Sequence, residues 1–531
     1  MIIISNVIGD FAQSPSEIIE KARKIAGLAV QDIADSFIMK TSLDARHQKR
    51  PQIVASVGFC CTLDEEKFVL HSQNPNIIFR APSPALPPID YGNKPLSHSP
   101  IIVGFGPAGM FAGLILAQNG YRPLVIDRGD PIETRVQTVE RFWQSGKLDC
   151  ESNVQFGEGG AGTFSDGKLT TRIHDPRCEF VLKTMACLGA PREILYKSKP
   201  HIGTDYLRQV VSAMKAEIIQ YGGRVIPRTR LDEVIIKNKM VHAVRVGTET
   251  IPCSVLILAI GHSARDTFEM LMKKNVVMQT KPFSVGVRIE HLQQAIDTGL
   301  YGKYAQHPLL PPGEYQLSLR KNDRAVYTFC MCPGGCVVPS ASEQDGIVTN
   351  GMSAFARDLP NANSALVVSV SESDFGADPR AAIAFQRRLE HAAFLSGGSN
   401  YKAPAQSVGA FFQNHAGLQL GRVFPSYSLG VRACNFRDLF PETISQMLET
   451  GLMGFGKKIR GFDAPDAILT GVETRTSSPV RILRDDNGQA IGLSGLFPCG
   501  EGAGYAGGIM SAAVDGIQTA YALMHQYAPM K

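Results

Sequence analysis

One stretch constrains the fold more than any other. In "PIIVGFGPAGMFAGLILAQNGYRPLVIDRG" (100–129) the short apolar run IIVGF leads into Gly104, Gly106 and Gly109, a G-x-G-x-x-G spacing. The helix-forming run AGMFAGLILAQNG follows, with Gly113 one turn beyond Gly109, and a second apolar run ends in Asp127, 23 residues after Gly104. Strand, glycine turn, helix, strand and terminal acid together make a β-α-β unit of the kind that holds a dinucleotide. Gly104 permits the tight turn, Gly106 admits a pyrophosphate to the backbone, and Gly109 lets helix and strand pack closely. The helix N-terminus offers free N–H groups and the positive end of its dipole to a phosphate. Asp127 is expected to accept hydrogen bonds from the hydroxyls of a ribose.

The details narrow the dinucleotide. Pro107 and Ala108 complete a G-x-G-P-A-G turn, and Asp127 is followed by Arg128 and Gly129. This pattern resembles the FAD-binding proteins of the two-dinucleotide-binding-domain group. Three later segments fit the same resemblance. In "NVQFGEGGAGTFSDGKLTTR" (153–172), Gly159, Gly160 and Thr163 belong to a loop that the resemblance places under the pyrophosphate and ribityl chain. In "RLDEVIIKNKMVHAVRVGTETIPCSVLILAIGHSA" (230–264), three short strands form a β-meander before the apolar strand SVLILAIG. There the resemblance gives Val234 backbone contacts to adenine and lets Gly261 pass the cofactor; Ile260 departs from the family's usual Thr. In "CGEGAGYAGGIMSAAVDG" (499–516), Gly500 and Glu501 match a Gly–acid pair that binds a ribityl hydroxyl, with Glu as in the succinate dehydrogenase and fumarate reductase branch. A helix starting near Gly507 and Gly508, then Ile509, is expected to aim its N–H groups at the isoalloxazine ring.

The fold class expected is α/β. Residues 98–280 and 465–531 read as one discontinuous Rossmann-like FAD domain. Residues 281–464 read as an inserted mixed α+β substrate domain, and residues 1–95 as a small N-terminal α/β domain. The span 98–531 resembles the family usually called FAD-dependent dehydrogenases or oxidoreductases, on "FGEGGAGTFSDGKLTTR", "CMCPGG", "NGMS", "ETRTSSPVRI" and "PCGEGAGYAGGI". At the N-terminus, Ser14, Pro15 and Glu17 form a capping box that starts a helix with Ile18, Ala22, Ile25, Ala26 and Ala29 on one face. The proline-rich segment 80–100 reads as an extended linker, and "GLMGFGKKIRG" (451–461) as a loop.

Composition adds exclusions. A net charge of +5 and a pI near 8.5 allow an acidic ligand such as a phosphate but are too weak to argue for nucleic acid, which is not expected as a partner. The basic run RHQKR (46–50) reads as a solvated hairpin loop, with tRNA contact as its sharper alternative. No apolar stretch is long enough for a membrane span, and no leader pattern opens the chain. The eleven scattered cysteines suit a reduced, cytoplasmic protein.

Candidates for chemistry lie mainly in the inserted part. "KPFSVGVRIEH" (281–291) offers Arg288 to hold an anion and His291 to deliver protons, with Glu290 as a solvated surface charge. In "AVYTFCMCPGGCVVPS" (325–340), Cys330 and Cys332 share a strand face and Cys336 follows a Pro-Gly-Gly turn. The spacing suits no metal site, so no metal is expected. Small buried residues beside the ring are one reading; a thiol at the flavin face, with Cys332 favoured, is the other. Asn350, Ser353 and Arg357 are possible anion binders. Arg475, Thr476, Ser477 and Arg481 fall where the two parts meet, and Arg475 is taken as a catalytic candidate beside the reading of a polar hairpin. No second G-x-G-x-x-G unit occurs, so a resident NAD(P)H domain is not expected. Reducing equivalents would come from substrate, transient NAD(P)H or an electron-transfer protein. The function expected is an FAD-dependent oxidoreductase acting on a small anionic substrate. A tRNA-modifying flavoenzyme and a flavin-binding sensor without turnover are the alternatives.

Overall fold

The computed structural model describes residues 1–46, 50–82 and 86–530. Residues 47–49 of the basic run and 83–85 of the proline-rich segment lie outside the described residues.

A five-stranded parallel sheet is the base of the cofactor-binding region. Its order is Leu496–Pro498, Leu256–Leu258, Ile101–Val103, Leu124–Ile126, Arg224–Ile226. The first of these strands comes from near the C-terminus and pairs in register with Leu256–Leu258. Strands this short and this apolar are stable only when both faces are covered. Two helices lie against this sheet's core, Pro107–Gln118 and Ile509–Met524, and they pack on each other. The close approach needs Gly516, whose hypothetical Cβ would stand 2.2 Å from the Ala108 carbonyl oxygen. The expected meander is present as Glu233–Lys237, Met240–Val246 and Glu249–Pro252.

A seven-stranded sheet carries the second body, in the order Ser318–Lys321, Arg324–Cys332, Asn361–Val370, Phe283–Leu292, Ile468–Glu473, Ala403–Ser407, Val431–Ala433. Phe283–Leu292 is central and is buried throughout except at Leu292. Ile468–Glu473 pairs antiparallel with it, so this strand sits with the seven-stranded sheet although the sequence pattern groups it with the last cofactor-binding segment. The reason is its six consecutive buried residues, a run too apolar for a polar hairpin. Helices Pro379–Gly397 and Glu442–Gly456 pack on this sheet. The second of these includes most of the glycine-rich stretch expected as a loop. Gly451 allows it to touch Val326, whose Cγ2 would lie 2.6 Å from a Cβ at that position.

The N-terminal unit is an antiparallel sheet, Ile33–Asp44, Gln52–Cys61, Ile2–Asp10, Ile77–Phe79, with the helix Pro15–Ala26 against it. The capping box at Ser14 and Glu17 forms as expected. Gly27 stops the helix in a left-handed turn (φ 68°), leaving Ile25 exposed and Ala29 beyond the end. The segment after this unit is extended but not free. Gly92 N–H donates to the Met524 carbonyl at 2.8 Å, Ala528 N–H donates to the Lys94 carbonyl at 2.9 Å, and Leu86, Ile89 and Leu96 pack on the cofactor-binding core. Arg46 and Arg50, at either end of the basic run, pair with Asp44 and Asp10. No helix among the described residues is long and apolar enough to cross a membrane.

Candidate functional site

The glycine turn behaves as its spacing demands. Gly104 has φ 99°, and a Cβ there would lie 2.3 Å from the Ala259 carbonyl oxygen. A Cβ on Gly109 would lie 1.9 Å from the Gly104 carbonyl oxygen, so only glycine allows this helix to meet its strand. Gly106 is the N-cap of the helix and Pro107 its first residue, where the missing N–H costs nothing. Asp127 closes the turn: its carboxylate accepts from Phe105 N–H at 2.8 Å and from Gly129 N–H at 2.9 Å. It braces the glycine turn and also lines the cavity beside it. Arg128 stacks on Phe156 at 4.2 Å and bridges Glu151 and Asp266, so its charge is spent within the protein.

The loop at 153–160 is held by a residue that no motif marks. Arg135, fully buried on the helix Ile132–Ser145, donates to the carbonyls of Asn153, Val154, Gly157, Glu158 and Gly160 at 2.7–3.2 Å. Burial pulls its pKa down to about 10, and the carbonyl oxygens replace its lost water. Gly159 N–H then donates to the Phe105 carbonyl at 2.8 Å and ties the loop to the glycine turn.

A cavity of about 410 Å³ runs from this turn to the junction of the two sheets. Gly104, Gly106, Pro107, Ala108, Asp127, Arg128, Gly160, Gly261, Glu501, Gly507, Gly508 and Ile509, all cofactor-site candidates of the sequence, line it. Others do not. Gly109 serves helix packing. Gly159 and Thr163 lie behind the wall at a small secondary pocket. Gly500 lies behind it too, its N–H donating to Asp515 at 2.6 Å, and Asp515 in turn pairs with Arg484. Val234 is wholly buried in the apolar core; Thr229, Arg230 and Leu231, just before its strand, line the cavity instead.

The cavity fits an extended dinucleotide by an observation independent of motif. At Gly261, Gly507 and Gly508 a Cβ would meet no protein atom within 4 Å, although all three line the cavity. Bare backbone there leaves room for something other than protein. The helix Ile509–Met524 begins at the same place, capped by Gly508, with its positive dipole end at the cavity.

The catalytic candidates divide. Arg288 is fully buried behind the wall, donating to Asn363 Oδ1, to the Cys330 carbonyl at 2.9 Å and to Glu473 at 3.3 Å. His291 is also buried; its Nε2 contacts the Phe462 carbonyl at 2.7 Å, and burial pulls its pKa down to about 4. Glu290, expected in solvent, is buried against Ser426 and Asn361. None of the three lines the cavity, for one reason: their strand is central in its sheet with both faces covered. Cys332 is buried off the cavity, and Cys330 lines it in its place. The strand pairing shifts register between Phe329 and Cys332, and Cys330 takes φ 45°, so the two thiols do not share a plain strand face. Arg475 reaches the cavity wall, but its guanidinium is bound to Glu390 at 3.1 Å and to Ser342. With Arg265 and Glu343 it forms a buried ionic bridge between the two bodies. Thr476 also lines the cavity and bonds Ser284. Asn350 and Arg357 line it, while Ser353 bonds Asp166 behind them.

Several ionisable groups line or adjoin the cavity. Glu473 is almost fully buried, and its Oε2 has no partner among the described residues. Burial pushes its carboxyl up to about 7 against the pull of Arg288. Glu501 is likewise pushed up to about 7 by burial, opposed by Lys281. His262 is driven down to about 3 by burial and by Arg475, Arg265 and Lys281, and stays neutral. Lys168, Lys199 and Arg357 gather at the wall with Glu314, near the buried Asp166. The sequence signal for Glu473 is its place at the head of the ETRTSSPVRI segment, at the junction of the two parts.

Residues 282–476 match the family model described as FAD-dependent protein, C-terminal domain-like. An uncharacterised protein of Clostridium beijerinckii (strain ATCC 51743 / NCIMB 8052) is 47% identical over 511 residues, 96% of each chain. Among solved structures, glycine oxidase from Bacillus cereus ATCC 14579 aligns over 81% of this chain and 98% of its own, at 10% identity and a TM-score of 0.33. L-proline dehydrogenase from P. horikoshii aligns over 81% and 94%, at 10% identity and a TM-score of 0.35. Likenesses this weak carry no argument about the substrate. The near-full-length match shows that the chain belongs to one family with the Clostridium protein, and the FAD-dependent family model together with the glycine cradle makes FAD its cofactor.

Proposed function

We propose that the chain passes a hydride between FAD and a small anionic substrate bound at the junction of the two sheets. The observation that carries this is the pair Glu473 and Glu501, two carboxyls pushed up to about 7 that line the same cavity as the glycine cradle. Bound FAD supplies hydride acceptance and donation. The chain supplies the proton: a carboxyl that ionises near neutral pH both gives and takes one readily. Glu473 Oε2 meets no donor among the described residues. Arg288 does not touch substrate in this scheme; it orients Glu473 and the Cys330 carbonyl from behind. Lys168, Lys199 and Arg357 outnumber the carboxylates Asp166 and Glu314, which favours an anion at that wall. The Ile509–Met524 helix end favours negative charge at the opposite side. Arg288 and His291 do not reach the cavity, so we take no substrate from the succinate dehydrogenase and fumarate reductase branch.

The test has two stages. The purified chain is expected to show a flavin spectrum, or to regain one with added FAD; a colourless protein that cannot be reconstituted would end the proposal. Anaerobic titration with NADH, NADPH and a panel of dicarboxylates and other organic anions comes second. Bleaching by one donor identifies the electron source. Bleaching by none would leave a flavin-binding protein without turnover.

A further inference from the structure

The segment Phe329–Cys332 departs from strand geometry at the point where it meets the cavity. Pairing with Asn361–Val370 is regular up to Phe329↔Ala365 and resumes only at Cys332↔Asn363. Within the bulge Cys330 sits at φ 45°, a conformation that is strained for a non-glycine residue and gathers at functional sites. The bulge turns Cys330 to the cavity and leaves Cys332 sealed behind it. Cys332 Sγ lies 3.4 Å from the Cys330 carbonyl oxygen, so the two residues meet within the bulge. The following turn is rigid: Gly334 N–H donates to Gln293 Oε1 at 2.8 Å, Gly335 N–H donates to the Asn361 carbonyl at 2.8 Å, and no Cβ fits at Gly334.

We propose that Cys330 and Cys332 are a redox-active dithiol that exchanges with small disulfide compounds entering the cavity. This goes beyond the flavin reaction and does not depend on it, since the exchange needs no cofactor. Cys330 attacks. The hydrogen bond from Cys332 holds its thiol below the usual range, with the charges of Arg288 and Lys168 adding to the effect, while Cys332 is held above it. The Cys330 thiolate displaces one half of the disulfide RSSR, forming a mixed disulfide and releasing RS⁻. Cys332 then attacks the Cys330 sulfur; its proton passes to a departing thiolate and the second RS⁻ leaves. The sum is two protein thiols and RSSR giving one Cys330–Cys332 disulfide and two RSH, with two electrons passed to the small molecule. Arg288 Nη2, 3.8 Å from Cys332 Sγ, steadies the resolving sulfur as it loses its proton.

The experiment treats the full-length protein with bis(2-hydroxyethyl) disulfide, quenches by alkylation and weighs the peptide that holds both cysteines. The wild-type peptide is expected to close to an internal disulfide, at least about tenfold faster than the exposed Cys187 is modified, and to reopen with dithiothreitol. Cys332→Ser should trap one mercaptoethanol adduct on Cys330. Cys330→Ser should leave Cys332 unmodified. A wild-type peptide that stays reduced while Cys187 reacts overturns the proposal, and so does an adduct on Cys330 that never closes. The wild-type result decides even where a variant fails to fold. The flavin spectrum, recorded on the same sample, reports separately on the cofactor reading.

Discussion

The two ends of the cavity are built by different means. At the glycine turn nearly every contact is backbone: Gly104, Gly106 and Gly109 shape it, Asp127 braces it through two N–H groups, and Arg135 holds the adjoining loop by its carbonyls. The charges of Arg128 and Arg135 are consumed inside the protein. At the junction of the sheets the wall is made of side chains, Cys330, Glu473, Glu501 and His262, whose ionisation is displaced by burial and by their neighbours. A phosphate-binding end needs only shape and N–H groups, which backbone supplies at no cost in desolvated charge. A reacting end needs groups that change protonation, and burial is what tunes them.

The largest test of this contrast sets two glycines against each other. Gly109→Val should abolish soluble, flavin-containing protein, because its side chain strikes the Gly104 carbonyl. Gly507→Val should fold with an unchanged melting temperature without cofactor, yet lose FAD affinity by about two orders of magnitude or more, since its side chain meets only cavity. If both fail to fold, the cradle is structural and the contrast is lost. Flavin-to-protein ratio and thermal melting read the two effects apart.

Next comes Arg135→Met. It removes six hydrogen bonds to buried carbonyls, which should cost about 3 kcal/mol or more in urea unfolding and loosen the 157–160 loop, lowering FAD affinity with it. An unchanged affinity would show that the loop keeps its shape without that brace.

Glu473→Gln sharpens the other end. The folded carboxyl ionises near 7 against an ordinary 4.5, so the native state holds its proton more tightly than the unfolded chain. Stability contributed by this group is therefore greatest at low pH and falls as pH rises from about 4.5 to 7, then levels. The Gln variant should flatten that slope, with a gain of about 1–3 kcal/mol above neutrality, while slowing any proton-coupled reduction. Urea unfolding across pH 4–8 checks it; an unchanged slope would mean the carboxyl is ionised throughout.

The smallest effect is expected at Arg46→Ala, on an exposed surface pair far from either end. Melting temperature and flavin content should not change. Weaker tRNA binding by this variant would revive the idea of a nucleic-acid partner.

The backbone-built end is legible in the sequence, and of the side-chain-built end only Glu501 is. A glycine required by a steric clash is a local fact, and its spacing from strand and helix appears along the chain. So Gly104 and Gly109 are recognisable from the order of residues alone, whereas 261 and 507–509, where a Cβ at each glycine meets no protein atom, are reached through the family resemblance. Arg135 escapes because an arginine in an amphipathic helix is ordinary until its burial is known. Alternation puts Cys330 and Cys332 on one strand face, and the Pro-Gly-Gly turn after Cys332 favours that residue, but a bulge breaks alternation without a sequence mark. Arg288, His291 and Glu290 mislead for a related reason. A strand with charged residues looks like an edge, whereas Phe283–Leu292 lies at the centre of seven strands with its charges satisfied by partners up to 185 residues away. The sequence alone determined the dinucleotide turn, the resemblance to flavoproteins and the return of the chain's last segment to the cofactor. Tertiary structure alone decided which ionisable groups face the cavity, because that depends on strand order and burial, which are set by contacts between residues far apart in the chain.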